Sequence, residues 1–142
     1  MKQAPHPSQK GFLSTLAIYR IGGACCADEW LSAEGCRYDI ERFGCRVVTA
    51  PEEAQVLWVS SVVTEAMVPY ILSARAKLQS PAKVIASGSC AIGGGVFLEV
   101  SNPAVRVRLQ DLMPIDLLLP GCPPRPELLM EGIIQIKRMC CG

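Results

Sequence analysis

Short apolar runs and helical stretches alternate along this chain. The run at residues 15–21 is stopped by Gly22 and Gly23 and predicts a buried strand followed by a tight turn. Residues 28–43 then have helical composition, with Gly44 where a C-cap would stand and Arg37, Asp39, Glu41 and Arg42 charging the end. Two β-branched runs parted by Pro51, residues 46–49 and 54–60, predict two more strands. A helix is expected over 64–79, with Pro69 near its first turn and Pro81 beyond its end. Residues 83–86 predict a fourth strand and 115–119 a fifth, stopped by Pro120-Gly121. Pro126 opens a last helix whose Leu129, Ile133 and Ile136 share one face. Residues 97–113 alternate only at Val105, Val107 and Leu109 and are expected to be loop with at most one short strand. Strands and helices in alternation, the strands apolar throughout, predict an α/β fold with an open, mostly parallel sheet covered on both faces.

At 142 residues the chain has the size of one domain, expected over residues 14–142. Residues 1–13, with Pro5, Pro7, Gly11 and a lone, solvent-facing His6, are expected to be a tail or a partner-binding arm. Apolar residues make up 50% of the sequence and the mean hydropathy is +0.28, rich for so short a chain, so other subunits are expected to cover part of its surface. A net charge of +1 offers no basic face, which argues against nucleic acid. No apolar stretch reaches the roughly 18 residues a membrane span needs. Arg20 stands between the first apolar run and Gly22-Gly23-Ala24, which breaks the pattern of a secretory signal, so a reducing compartment is expected.

In such a compartment eight cysteines point to metal ligation or thiol chemistry, not to disulfides. Cys25 and Cys26 follow the first predicted strand, Cys90 the fourth and Cys122 the fifth. Carboxyl ends of parallel strands gather on one edge, where ligand sites form at the point of strand-order reversal, so these distant residues can meet there. Four thiolates suit a tetrahedral zinc ion or a cubane iron–sulfur cluster. Glycines beside each cysteine would let backbone amides approach inorganic sulfide, and Cys90 and Cys122 each stand alone, whereas structural zinc favours ligands paired at short spacing. Adjacent ligands such as Cys25 and Cys26 diverge on an ordinary backbone and would need a strained one.

Four motifs occur in order: Gly23-Ala-Cys-Cys-Ala-Asp-Glu29, Arg37-Tyr-Asp-Ile-Glu-Arg-Phe-Gly44, Gly88-Ser-Cys-Ala-Ile-Gly-Gly-Gly95 and Pro120-Gly-Cys-Pro-Pro-Arg-Pro-Glu127. Over residues 18–137 the chain resembles the small (20 kDa-type) iron–sulfur subunit shared by respiratory complex I and the energy-converting nickel–iron hydrogenases. That resemblance implies a flavodoxin-like fold and one [4Fe-4S] cluster on Cys25, Cys26, Cys90 and Cys122, proximal to the active site of a large catalytic subunit. It further implies a ferredoxin-like iron–sulfur subunit and membrane subunits as partners, with the chain held peripherally on the cytoplasmic side of the membrane. Adjacent cysteines before Ala-Asp-Glu resemble the complex I branch, which passes electrons to quinone. Gly95-Val-Phe97 and Pro123-Pro-Arg-Pro-Glu127 resemble the hydrogenase branch, and so does the lack of an aromatic-rich stretch after the triple glycine. The balance leans toward a hydrogenase or a related ion-pumping complex, with the quinone enzyme as the alternative.

Other residues carry plainer readings beside sharper ones. Glu29 aligns with the acid after the family's cysteine pair and is a candidate for proton movement or cluster tuning, although a carboxylate near a helix start is commonplace. Arg37, Asp39 and Arg42 are either docking charges or surface pairs. Gly93-Gly94-Gly95 lacks the Gly-Lys-Ser/Thr of a phosphate loop and more naturally wraps a cluster. Cys36 and Cys45 are expected to be buried small hydrophobes, Cys140-Cys141 a frayed end, and Trp30 and Trp58 core or interface aromatics. A zinc-bound structural or assembly module remains the alternative of another class. A thiol–disulfide enzyme is disfavoured because Cys25-Cys26 lacks the C-x-x-C spacing.

Overall fold

The computed structural model describes residues 15–98, 102–105 and 107–141, so the expected arm at 1–13 with His6 lies outside the described residues. Five strands, β1 (Leu16–Ile21), β2 (Cys45–Val48), β3 (Val56–Ser60), β4 (Lys83–Ser87) and β5 (Leu117–Leu119), pair in parallel in the order β2-β1-β3-β4-β5. Among the described residues four helices, α1 (Ala24–Glu34), α2 (Val68–Lys77), α3 (Ser89–Gly93) and α4 (Pro126–Cys141), connect and cover them. This is the flavodoxin-like strand order, with the reversal between β1 and β3. The expected α/β, flavodoxin-like class holds.

Because side chains alternate across a strand, each strand feeds two cores. On one face Ile18, Trp58 and Ile85 pack against Trp30 and Ala33 of α1 and Leu129, Ile133 and Ile136 of α4. Trp30 and Trp58 meet edge to face with centroids 4.4 Å apart, and the Arg20 guanidinium lies 5.1 Å over the Trp30 ring. On the other face Tyr19, Leu57, Val59 and Val84 pack against Ile71 and Ala74 of α2 and against Leu109. The β2–β3 connection, residues 49–55, holds only a short 3-10 turn at Pro51–Glu53 where a crossover helix would ordinarily run. A cleft of about 290 Å³ opens there beside Tyr19, Thr49, Glu52, Tyr70 and Lys77, with the two tyrosine hydroxyls hydrogen-bonded to each other. Among the described residues no helix is long and apolar enough to cross a membrane.

Several expected elements are corrected. The first helix spans Ala24–Glu34, not 28–43: Gly35 ends it, Asp39 takes φ 46°, which no α-helix admits, and Ile40–Phe43 form a separate 3-10 turn. Arg42 pairs with Asp39 at 3.5 Å, both exposed, and Arg37 lies over the Tyr38 ring, as the plainer surface reading has it. The second helix is shorter, preceded by a 3-10 turn at Glu65–Met67, and carries Pro69 in its first turn, where the missing N–H costs nothing. The five-residue α3 follows β4 directly, where the sequence reading assigned no element. Val107 makes an isolated antiparallel bridge to Val63 rather than a strand, and Leu109–Asp111 form a 3-10 turn. Cys36 is exposed, not buried, because it lies beyond the shortened α1, whereas Cys45 is buried and donates to the Ile40 carbonyl. The α4 helix runs through Cys140, which packs half-buried against the core, so this position is not a frayed end; the Cys141 side chain lies outside the described residues.

Trp58 is fully buried between β1, β4 and α1, so Trp58→Ala should lower the free energy of unfolding by about 3–5 kcal/mol, read as a lower denaturant midpoint at unchanged slope. Burial pushes the Cys45 thiol up to about 11 from an ordinary 9.0, more than the Lys137 ammonium lowers it. A group held neutral in this way contributes stability that is fully present below pH 9 and is lost as pH rises toward 11. Thiol labelling of the folded chain followed by mass spectrometry should therefore modify exposed Cys36 quickly and Cys45 only on unfolding.

Candidate metal centre

The carboxyl ends of β1, β3, β4 and β5 lie side by side on one edge, and each exit from the sheet is shaped by a backbone that only a small residue permits. At Gly22 a Cβ would fall 2.7 Å from the Ser60 carbonyl oxygen and 2.1 Å from its Oγ, so only glycine lets β1 leave against the end of β3. Ala24 then takes φ 51°, a left-handed conformation that costs on the order of 1–3 kcal/mol in a residue with a Cβ. The strain expected for the tandem cysteines is thus located at Ala24, directly ahead of them. It starts α1 so early that Cys25 and Cys26 both stand in its first turn, with directions about 100° apart. Cys26 turns inward and is buried, while Cys25 is exposed.

The Cys26 sulfur lies against the end of β4: a Cβ on Gly88, at φ 90°, would fall 2.7 Å from it. Burial pushes the Cys26 thiol up to about 11, opposed by a hydrogen bond from the Ser61 backbone N–H and reinforced by Cys25 and Cys90. The ends of β4 and β5 are tied by Gly88 N–H to the Leu119 carbonyl and by the Ser89 N–H and hydroxyl to the Gly121 carbonyl, at 2.8, 2.8 and 3.0 Å. The β5 tie sets the Gly121-Cys122-Pro123 turn beside α3, with Cys122 exposed. Within α3 and the turn after it the chain reverses at Gly94 and Gly95, both left-handed, and the Val96 N–H reaches the Cys90 sulfur. A Cβ on Gly95 would lie 2.9 Å from that sulfur. The Cys90 thiol is raised first by burial and then by Cys122 and Cys25, with the Val96 hydrogen bond acting against them.

The four predicted cysteines therefore share one electrostatic neighbourhood: Cys26 feels Cys25 and Cys90, and Cys90 feels Cys25 and Cys122. Among the described residues no three His, Cys, Asp or Glu side chains are grouped as around a metal ion. A cubane cluster asks for a wider set than a single ion, because each thiolate binds a different iron. The donor set fits such a cluster: soft thiolates, glycines where a Cβ would collide with two of the sulfurs, and backbone amides turned toward the same two. Glu29 stands one helical turn beyond Cys25 and is half-buried.

The sequence reading missed Ser60 and Ser61. Both are buried, and Ser61 takes φ 69°. Their signal was available, since a polar pair ends a fully apolar strand at the same edge as the cysteines. Arg20 was read only as a break in a signal pattern. Its Nη1 is buried and finds no partner among the described residues, and burial lowers the guanidinium pKa against the opposing pull of Glu34, whose carboxylate accepts from the Trp30 indole at 2.6 Å. Val96 and Leu98, at 73% and 48% exposure, form an apolar collar next to Cys90.

Comparison with known proteins agrees with this architecture. The chain is 38% identical over 130 residues to NAD(P)H-quinone oxidoreductase subunit K 2 of Synechocystis, covering 92% of this chain and 59% of that one. It is 43% identical over 118 residues to an NADH-quinone oxidoreductase subunit of Clostridium beijerinckii, covering 82% and 69%. Among solved structures, a chain of the membrane-bound sulfane sulfur reductase, an archaeal respiratory membrane complex, superposes with a TM-score of 0.80 at 30% identity over 91% of this chain and 72% of that one. A chain of an NAD+-reducing [NiFe]-hydrogenase shares the fold alone, with a TM-score of 0.61 at 16% identity over 86% and 89%. The family of the NADH ubiquinone oxidoreductase 20 kDa subunit matches residues 24–136, a span that contains the edge just described, and the chain belongs to that family.

Proposed function

We propose that this chain holds one [4Fe-4S] cluster through Cys25, Cys26, Cys90 and Cys122 and serves as an electron-transfer subunit of a complex I-type quinone oxidoreductase. The observation that carries the reading is the gathering of four thiols from three strand ends at one edge, with amides of Ser61 and Val96 directed at two of them. When bound, such a cluster supplies a one-electron store. The chain's own residues do the rest: the thiols give up their protons to become ligands, the glycines admit the backbone, and the amides donate to sulfur. Electrons would pass between a ferredoxin-like iron–sulfur subunit and the active site of a large subunit, within a complex anchored by membrane subunits on the cytoplasmic side.

The motifs around Gly95 and Pro123 lean toward a hydrogenase, whereas relatives at 38% and 43% identity are named as quinone oxidoreductase subunits, and that weight favours the quinone branch. The related ion-pumping complexes form the second reading, supported by the 30% identity and TM-score of 0.80 to the sulfane sulfur reductase chain.

Anaerobically purified protein should contain about four irons and four sulfides per chain and give a low-temperature paramagnetic signal on reduction. One zinc with no sulfide would overturn the proposal in favour of a structural module. Cys90→Ser or Cys122→Ser should lose or convert the cluster, while Cys36→Ser, at an exposed position away from the edge, should leave the spectrum unchanged. For the branch, the purified complex should reduce quinone; hydrogen-dependent reduction with nickel in the large subunit would select the hydrogenase reading instead.

A further inference from the structure

We infer that the turn Ser60-Ser61, at the end of β3, is a positioning element that holds the Cys26 sulfur through the Ser61 backbone amide and thereby sets the reduction potential of the bound cluster. The inference rests on the cluster reading above and adds a residue pair outside the four cysteines.

β3 is the central strand of the sheet, flanked by β1 and β4, so its end stands between the arm that carries Cys26 and the arm that carries Cys90. All of β3 is buried, and its polar end is buried as well, with Ser60 at 5% and Ser61 at 6% exposure. Ser60 is wedged against the exit of β1, where only a glycine at position 22 leaves room for its carbonyl and hydroxyl oxygens. β3 and β4 pair Ser60 with Ser87, so Ser61 follows at the level of Gly88, the residue against which the Cys26 sulfur lies, and the chain turns away there at φ 69°. The Ser61 N–H donates to the Cys26 sulfur, which also lies against Gly88. The sulfur is thus caught between the ends of two neighbouring strands. A donor fixed in this way stabilises the more electron-rich, reduced cluster over the oxidised one, so its presence raises the potential.

The test is a redox titration of the intact complex by low-temperature paramagnetic resonance, with iron and sulfide determined in parallel. Ser61→Gly keeps both the amide and the backbone conformation and should leave the midpoint and the g-values at wild type. Ser61→Val places a β-branched residue where φ is positive, should force the turn after β3 to shift and carry the amide off the sulfur, and should lower the midpoint and shift the g-values at full iron content. An unchanged midpoint and spectrum in Ser61→Val overturns the inference. Should Ser61→Val fail to assemble, the wild type decides: with serine labelled by nitrogen-15, and cysteine and glycine supplied unlabelled, pulsed resonance should detect a nitrogen-15 coupling to the reduced cluster, and its absence overturns the inference. A cluster present with no such coupling refutes only the role of Ser61. Wild-type protein without iron and sulfide refutes the cluster reading and this inference with it.

Discussion

The sulfur of Cys26 occupies the space that a side chain on Gly88 would fill, and this contact locks the first turn of α1 onto the end of β4. It dictates much of what surrounds it. For the sulfur to reach that place, α1 must begin within three residues of the end of β1, which requires the left-handed Ala24 and the close passage of Gly22 over Ser60. For Gly88 to be there, β4 must lie one strand away from β1, with β3 between them, which is the strand order observed. The ladder of hydrogen bonds from Gly88 and Ser89 to Leu119 and Gly121 then carries the constraint on to the turn that holds Cys122.

Electrostatically the edge favours the neutral thiol at two of its cysteines, Cys26 and Cys90. Burial keeps the Cys26 and Cys90 thiols neutral, and neighbouring cysteines reinforce this because four thiolates in one field repel one another. Two backbone amides act in the opposite sense. The iron of the proposed cluster would tip that balance, since a coordinating thiol is deprotonated outright. Arg20, stacked on Trp30 of α1, adds a positive charge that burial leaves only partly hydrated.

Much of the architecture was legible in the sequence because β-branched runs ending in glycine or proline mark strands and their exits independently of tertiary contacts. Residues such as Leu129, Ile133 and Ile136 likewise announced the buried face of α4. What was hidden depended on backbone conformation. The left-handed Asp39 and Ala24 changed the limits of α1 at both ends without any signal in composition. Ser60 and Ser61 look like ordinary strand-terminating polar residues until their burial and the tight approach of Gly22 are known. Cys36 misled because its burial was inferred from a helix that stops short of it. The cysteines at the edge were singled out because a place just after a strand end, unlike side-chain direction, can be read along the chain.

The apolar collar of Val96 and Leu98 has a bearing on how such a chain survives outside its assembly. Val96 itself supplies the amide that reaches Cys90 and Leu98 follows two residues later, so a protein surface laid over them would come close to that sulfur. Were the chain to sit in a complex as proposed, one covering surface would shield both the apolar patch and the sulfur beside it.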